Sequence, residues 1–112
     1  MDTKDALIAL SALAQDSRLA VFRLLVTVGP SGMAATKIAE HLGIASSSLS
    51  FHLKELSHAG LVSARQDGRY VIYAANFDVM NALIGFLTEN CCGGNPCSPL
   101  LSRECAKDPA ST

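Results

Sequence analysis

A chain of 112 residues with 49% apolar and 17% charged side chains has the size of one domain and can bury a core, which excludes a disordered polar segment. Nine Lys and Arg against ten Asp and Glu leave a net charge of −1, so whole-chain charge does not advertise a nucleic-acid partner. The longest apolar run, Leu19 to Val28, is broken by Arg23 and falls short of the ~18 residues a bilayer span needs. The opening Met1-Asp2-Thr3-Lys4-Asp5 has neither the basic nor the apolar region of a secretory signal, which predicts a cytoplasmic protein whose cysteines start as thiols.

In chain order, Leu7, Leu10 and Leu13, with Ala6 and Ala14 alongside, form the stripe of a short amphipathic helix. Asp16 or Ser17 caps a second helix, whose apolar face reads Leu19, Val21, Phe22, Leu25 and Val26 until Gly29-Pro30-Ser31-Gly32 stops it. A third runs from about Ala35 to Leu42 and ends at Gly43. Ala45-Ser46-Ser47-Ser48 then offers hydroxyl caps to a fourth that continues to His58 and is closed by Gly60. Two helices across the short Gly43-Ile44-Ala45 turn have the proportions of a helix-turn-helix.

Two β-prone runs follow, Leu61 to Arg65 and Arg69 to Ala75, joined by Gln66-Asp67-Gly68, a strong hairpin signal. Tyr70 and Ile72 alternate with Val71 and Tyr73, so one side packs while the other stays wet. Asn76 or Asp78 caps a last helix with Val79, Met80, Leu83, Ile84 and Leu87 as its apolar face, ending near Asn90. The composition then shifts to Cys91-Cys92-Gly93-Gly94-Asn95-Pro96-Cys97 and a tail with Cys105, which divides the chain into a domain over 1–90 and a cysteine-containing tail over 91–112.

This order predicts a mostly α chain with a small β-hairpin, a winged helix-turn-helix whose second paired helix lies in the major groove of DNA while the hairpin reaches the backbone or minor groove. Leu49, Leu53 and Leu56 recur at i, i+4 and i+7 and point inward, leaving Ser46, Ser47, Ser48, Ser50, Phe51 and Lys54 outward. Short hydroxyls and free amides at a helix N-terminus suit phosphates and base edges. Arg65 and Arg69 straddle the turn and bring charge to phosphates. From Arg18 to Arg69 six bases stand against three acids, a local basic balance. Taken singly, the serines read more readily as caps and the arginines as a solvated edge; their order and spacing favour DNA. His52, beside core Leu53, is a structural hydrogen-bonder or orients on DNA rather than binding metal, and His41 and His58 are surface residues.

The run Leu49-Ser50-Phe51-His52-Leu53-Lys54-Glu55-Leu56-Ser57-His58-Ala59-Gly60-Leu61-Val62 is followed by Gly68-Arg69 and Tyr73 and preceded by Arg18-Leu19 and Ile38-Ala39-Glu40-His41-Leu42-Gly43. Together these resemble the signature of the ArsR family of metal- and metalloid-responsive winged-helix repressors, over residues 5 to 90 or so. The resemblance implies a cytoplasmic homodimer joined through its first and last helices, with the third and fourth reading an inverted-repeat operator in double-stranded DNA. It also implies release of DNA on binding an inducer; no permanently bound cofactor and no enzymatic activity are expected.

Family members that sense arsenite commonly carry a cysteine pair in the third or reading helix, and zinc sensors carry Asp and His ligands on the last. This chain has no cysteine before residue 91 and no histidine between Asp78 and Asn90. A smaller subgroup of arsenite repressors has a Cys-Cys pair right after the last helix and a third cysteine a few residues on. Thr88-Glu89-Asn90-Cys91-Cys92-Gly93 with Cys97 resembles that arrangement, which implies an arsenite or antimonite site at Cys91, Cys92 and Cys97.

The chemistry agrees, since soft thiolates select soft ions and trivalent arsenic takes three sulfurs. Gly93-Gly94 permits a bend, and Asn95-Pro96 a turn that returns Cys97. Zinc or another thiophilic metal, thiol oxidation and an inert tail stay open for the same cysteines, although CC-x4-C-x7-C lacks the paired C-x2-C of common zinc sites. A Cys91–Cys92 disulfide is disfavoured, because adjacent Cα atoms lie about 3.8 Å apart, below the ~4.4 Å such a bond wants. Catalysis by a thiolate is not expected, because the cysteines follow a helix C-terminus, the wrong end of the dipole. Cys105 lies outside the pattern and reads as accessory or free.

Overall fold

The computed structural model describes residues 1–90 and residue 93. Over them run helices α1 (Thr3–Leu13) and α2 (Asp16–Val28), strand β1 (Met33–Ala34), helices α3 (Ala35–Leu42) and α4 (Ser46–His58), strands β2 (Val62–Asp67) and β3 (Tyr70–Ala75), and helix α5 (Phe77–Leu87). This is a winged helix-turn-helix, mostly helical with a small antiparallel hairpin.

The helix boundaries have local chemical causes. Asp2 Oδ1 accepts from the Asp5 amide at 2.8 Å to start α1, and Asn76 Oδ1 accepts from the Val79 amide at 3.3 Å to start α5. The cap of α2 is Gln15, whose Oε1 accepts from the Arg18 amide at 2.9 Å, rather than Asp16 or Ser17. Gln15 is the last extended residue, at φ −154 and ψ 135, so Asp16 and Ser17 are already inside the helix. Gly43 ends α3 in the left-handed region at φ 65 and ψ 34, which turns the chain sharply into α4.

The core is built around Val21, Phe22 and Leu25 of α2, Ile38 of α3, the three leucines of α4, Leu61 and Leu83. Leu49, Leu53 and Leu56 therefore face inward as their spacing requires. The first helix turns otherwise than expected: Ala6 and Ala9 are 2% and 1% exposed, whereas Leu7 and Leu10 stand 60% and 38% exposed. Small side chains on the inner face suit the contacts of α1 with α2 and α4, and the long ones project away. On α5 Leu83 is buried, Val79, Met80 and Ile84 are half-buried, and Leu87 is 59% exposed.

The hairpin pairs from Val62↔Ala75 to Asp67↔Tyr70. Its turn is thus the two residues Gly68-Arg69, with Gly68 at φ 62, not Gln66-Asp67-Gly68. A glycine is what the first position of such a tight turn demands. The expected wet-and-dry alternation of β3 is replaced by a gradient, with Tyr70 and Val71 exposed, Ile72 and Tyr73 half-buried, and Ala74 and Ala75 buried. The base of the wing packs on the domain and its tip stands clear on both faces.

The sheet order is β1-β3-β2, with Met33↔Tyr73 and Ala34↔Ile72 paired along the other edge of β3. Two residues are too few to show a period, so β1 was not legible as a strand. Gly32 leads into it at φ +76, where a Cβ would lie 2.5 Å from the Tyr73 carbonyl oxygen. Gly32→Ala is expected to destabilise the fold by about 2–4 kcal/mol, through left-handed strain and displaced backbone. Urea unfolding followed by circular dichroism checks this, and an unchanged midpoint would contradict the close approach. No helix among the described residues is long and apolar enough to cross a membrane.

Candidate nucleic-acid interface

The N-cap of α4 is Ala45, at φ −61 and ψ 142, and it makes no side-chain cap hydrogen bond. The serines therefore do not cap the helix as expected: Ser46, Ser47 and Ser48 are its first three helical residues, and all three are exposed. The Leu49 amide is paired with the Ala45 carbonyl at 2.9 Å, and helix geometry leaves the three preceding amides without intrahelical acceptors. Hydroxyls and amides at the positive end of the helix dipole thus face solvent together.

Buried Leu49, Leu53 and Leu56 set the rotation of α4. At 3.6 residues per turn, Ser47, Phe51 and Lys54 then share one outward stripe with Ser50 beside it, and all four are exposed. His52 is half-buried at the border of that stripe. Its ring meets that of Phe51 edge-on, with centroids 5.8 Å apart at 64°. Buried Nδ1 has no hydrogen-bond partner among the described residues, so the expected hydrogen-bonding role is not seen at that atom.

On the wing, Arg69 occupies the turn itself and is exposed, while Arg65 sits opposite Ile72 in mid-strand. Arg65 Nη2 donates to the Ser31 carbonyl at 2.7 Å, tying the wing to the loop after α2, and the guanidinium's other donors have no acceptor among the described residues. Gln66 Nε2 donates to the Gly68 carbonyl at 2.9 Å and braces the tip. Tyr70 and Val71 are exposed beside it; the only sequence signal for them was their adjacency to Gly68-Arg69. Arg18, counted among the local bases, turns inward instead, where its Nε donates to the Ala12 carbonyl at 2.7 Å. Lys37 pairs with Glu40 at 3.8 Å across the exposed face of α3, an interaction worth little in water.

A second surface is apolar. Leu7, Ile8 and Leu10 of α1 and Leu87 of α5 are exposed, on helices that contact one another. Nearby, an open groove of about 390 Å³ between α2 and α5 is lined by Leu13, Leu19, Phe22, Met80, Leu83 and Ile84, among others. Among the described residues no group of three or more His, Cys, Asp or Glu is placed to hold a metal ion. The expected ligands Cys91, Cys92 and Cys97, and Cys105 with them, lie outside the described residues.

A family model described as a helix-turn-helix domain matches residues 13–64. The chain is 35% identical over 80 residues to the nodulation protein NolR of Rhizobium meliloti, a match covering 71% of this chain and 63% of NolR. It thus spans less than two thirds of that relative's length. It is 32% identical over 77 residues to YceK of Bacillus subtilis (strain 168), an uncharacterized HTH-type transcriptional regulator, covering 68% of this chain and 76% of YceK. Among solved structures it is similar to a homodimeric winged helix-turn-helix DNA-binding domain from Mycobacterium bovis, a possible ArsR-family transcriptional regulator. That likeness has 29% identity and a TM-score of 0.63, and covers 78% of this chain and 81% of the other.

Proposed function

We propose that this chain, which belongs to the helix-turn-helix transcriptional regulators, is an ArsR-type repressor that binds operator DNA as a homodimer and is released when arsenite or antimonite is captured by Cys91, Cys92 and Cys97. The observation that carries the DNA half is the uncapped first turn of α4, which presents three serines and their amides while buried leucines fix the helix beneath them. A serine that capped the helix would have its oxygen committed to the backbone; these are available to base edges and phosphates. Exposed Arg69 at the wing tip and Lys54 on α4 supply charge to the flanking backbone.

The exposed leucines and isoleucine of α1, with Leu87 of α5, support the homodimer, since a two-fold axis there would cover them. Two reading helices related by that axis would meet half-sites about 34–36 Å apart, one turn of duplex. The metalloid half rests on the cysteines alone. Three thiols displace the three hydroxyls of As(OH)3 as three waters, forming three As–S bonds with no net proton, whereas a divalent metal must displace thiol protons. Cys91 stands four residues beyond Leu87, the last residue of α5. Closing the tail around a ligand would therefore act on a helix of the proposed interface and shift the spacing of the reading helices.

The test is binding of the reduced full chain to its own upstream DNA, with stoichiometric arsenite, zinc or peroxide added in turn. Arsenite is expected to release the DNA, and Cys91→Ser and Cys97→Ser to bind DNA as tightly as the parent yet stay bound when arsenite is added. Release by zinc or peroxide and not by arsenite would overturn the inducer. Arsenite release that survives both substitutions would overturn the site, and failure to bind DNA would overturn the whole reading.

A further inference from the structure

We infer that Phe51 reads the C5 methyl group of a thymine in the major groove and is the residue of α4 that makes the regulator prefer a thymine at one fixed position of each half-site; the inference rests on the DNA-binding reading above. Phe51 is 56% exposed, although burying an aromatic ring is favourable. Leu49, Leu53 and Leu56 already fill the inner face of the helix, so the ring is not waiting to close the core. It lies across α4 from those leucines, with exposed Ser47, Ser50 and Lys54 for neighbours at helical spacing. An isolated ring in a polar stripe is a poor protein-docking patch, which needs contiguous apolar area.

The chemistry of the duplex edge supplies a partner. Base pairs present donors and acceptors in the major groove, and the distinctive apolar feature is the thymine methyl group. Lys54 and the free amides of α4 address phosphates, which carry no sequence information. The serine hydroxyls both donate and accept, so they discriminate weakly between bases. Phe51 is thus the exposed side chain on this stripe whose interaction depends on one base. The edge-on contact with half-buried His52, 5.8 Å between centroids, limits where the ring can swing, so the methyl group is met at a set register.

The experiment selects a duplex from a random pool with the full-length protein, then replaces each thymine, symmetrically in both half-sites, with deoxyuridine, which keeps every donor and acceptor and lacks the methyl group. Burial of one methyl-sized group at about 0.8 kcal/mol converts to a loss of about fourfold per half-site, or about fourteenfold for the pair. That loss is expected at one thymine per half-site for the parent and at none for Phe51→Ala, with Phe51→Leu between them. The thermal midpoint of Phe51→Ala should match the parent, since the ring is exposed. If no deoxyuridine replacement weakens the parent more than twofold, or if the loss persists undiminished in Phe51→Ala, the inference is overturned while DNA binding stands. If no duplex is enriched, the DNA-binding reading itself falls and takes the inference with it.

Discussion

Leu53→Ala is expected to lower folding stability by about 2–5 kcal/mol, while Lys54→Ala, one residue on, should change it by less than about 0.5 kcal/mol. Leu53 is 2% exposed and belongs to the core cluster, whereas Lys54, about 100° further round α4, is exposed. Truncating the leucine removes transfer free energy and leaves a cavity between α4 and its neighbours, a large share of the roughly 5–15 kcal/mol that holds a domain together. Truncating the lysine removes a solvated charge. DNA binding should rank the two the other way at a temperature where both are folded. Lys54→Ala weakens binding to all sequences alike and makes the salt dependence shallower by about two units, one for each protomer. The chain has no tryptophan, so circular dichroism in urea gives the stability and a labelled duplex gives the affinity. Equal destabilisation by both substitutions would mean that α4 is rotated from the orientation described.

Leu7→Glu is expected to turn the dimer into a monomer at micromolar concentration and to lower operator affinity more than about a hundredfold. Leu7 is 60% exposed on the single chain, so the substitution leaves monomer stability within about 0.5 kcal/mol. In a two-fold interface the same residue meets its counterpart's surface twice, and two carboxylates buried without partners cost several kcal/mol. A monomer then loses the second half-site, which a dimer engages at a millimolar-scale effective concentration set by the tether. Sedimentation equilibrium reads the assembly and a duplex titration the affinity. A Leu7→Glu protein that remains dimeric would place the interface elsewhere than on α1.

Which parts of the molecule could be read from the residue order follows from how many constraints each segment carries. In α4 the 49, 53, 56 leucine period, Gly43 before it and Gly60 after it agree on one helix and one inward face, and the structure has both. On α1 the leucine stripe and the alanine stripe are each compatible with a helical period, so hydropathy alone selects the larger side chains for the core. The chain instead packs the alanines and leaves Leu7 and Leu10 outside, and period alone does not tell an outward apolar stripe from an inward one. The hairpin was legible from Asp67-Gly68, but its register was not. A positive φ at Gly68 is compatible with more than one turn position, and the structure pairs Asp67 with Tyr70.

The site divides in the same way. The outward set Ser46, Ser47, Ser48, Ser50, Phe51 and Lys54 followed from the leucine spacing and is exposed as a group. That the serines do not cap was not legible, since a serine reads alike one residue before a helix or one residue inside it. Arg65 was expected beside the turn; the longer strands move it to mid-wing, where it holds Ser31. The expected ligands Cys91, Cys92 and Cys97 lie outside the described residues, so the metalloid site rests on the identity and spacing of its thiols in the sequence and not on the fold.

The measurement that bears most directly on the central claim, that α4 and the wing hold duplex DNA, is the affinity for the upstream duplex across a series of salt concentrations. Lys54, Arg65 and Arg69 from each of two protomers amount to about six phosphate contacts, for which log K falls with log salt at a slope of about −5. Arg69→Ala should make that slope shallower by about two units without changing the preferred sequence. A flat salt dependence, or a slope that Arg69→Ala leaves untouched, would contradict the account.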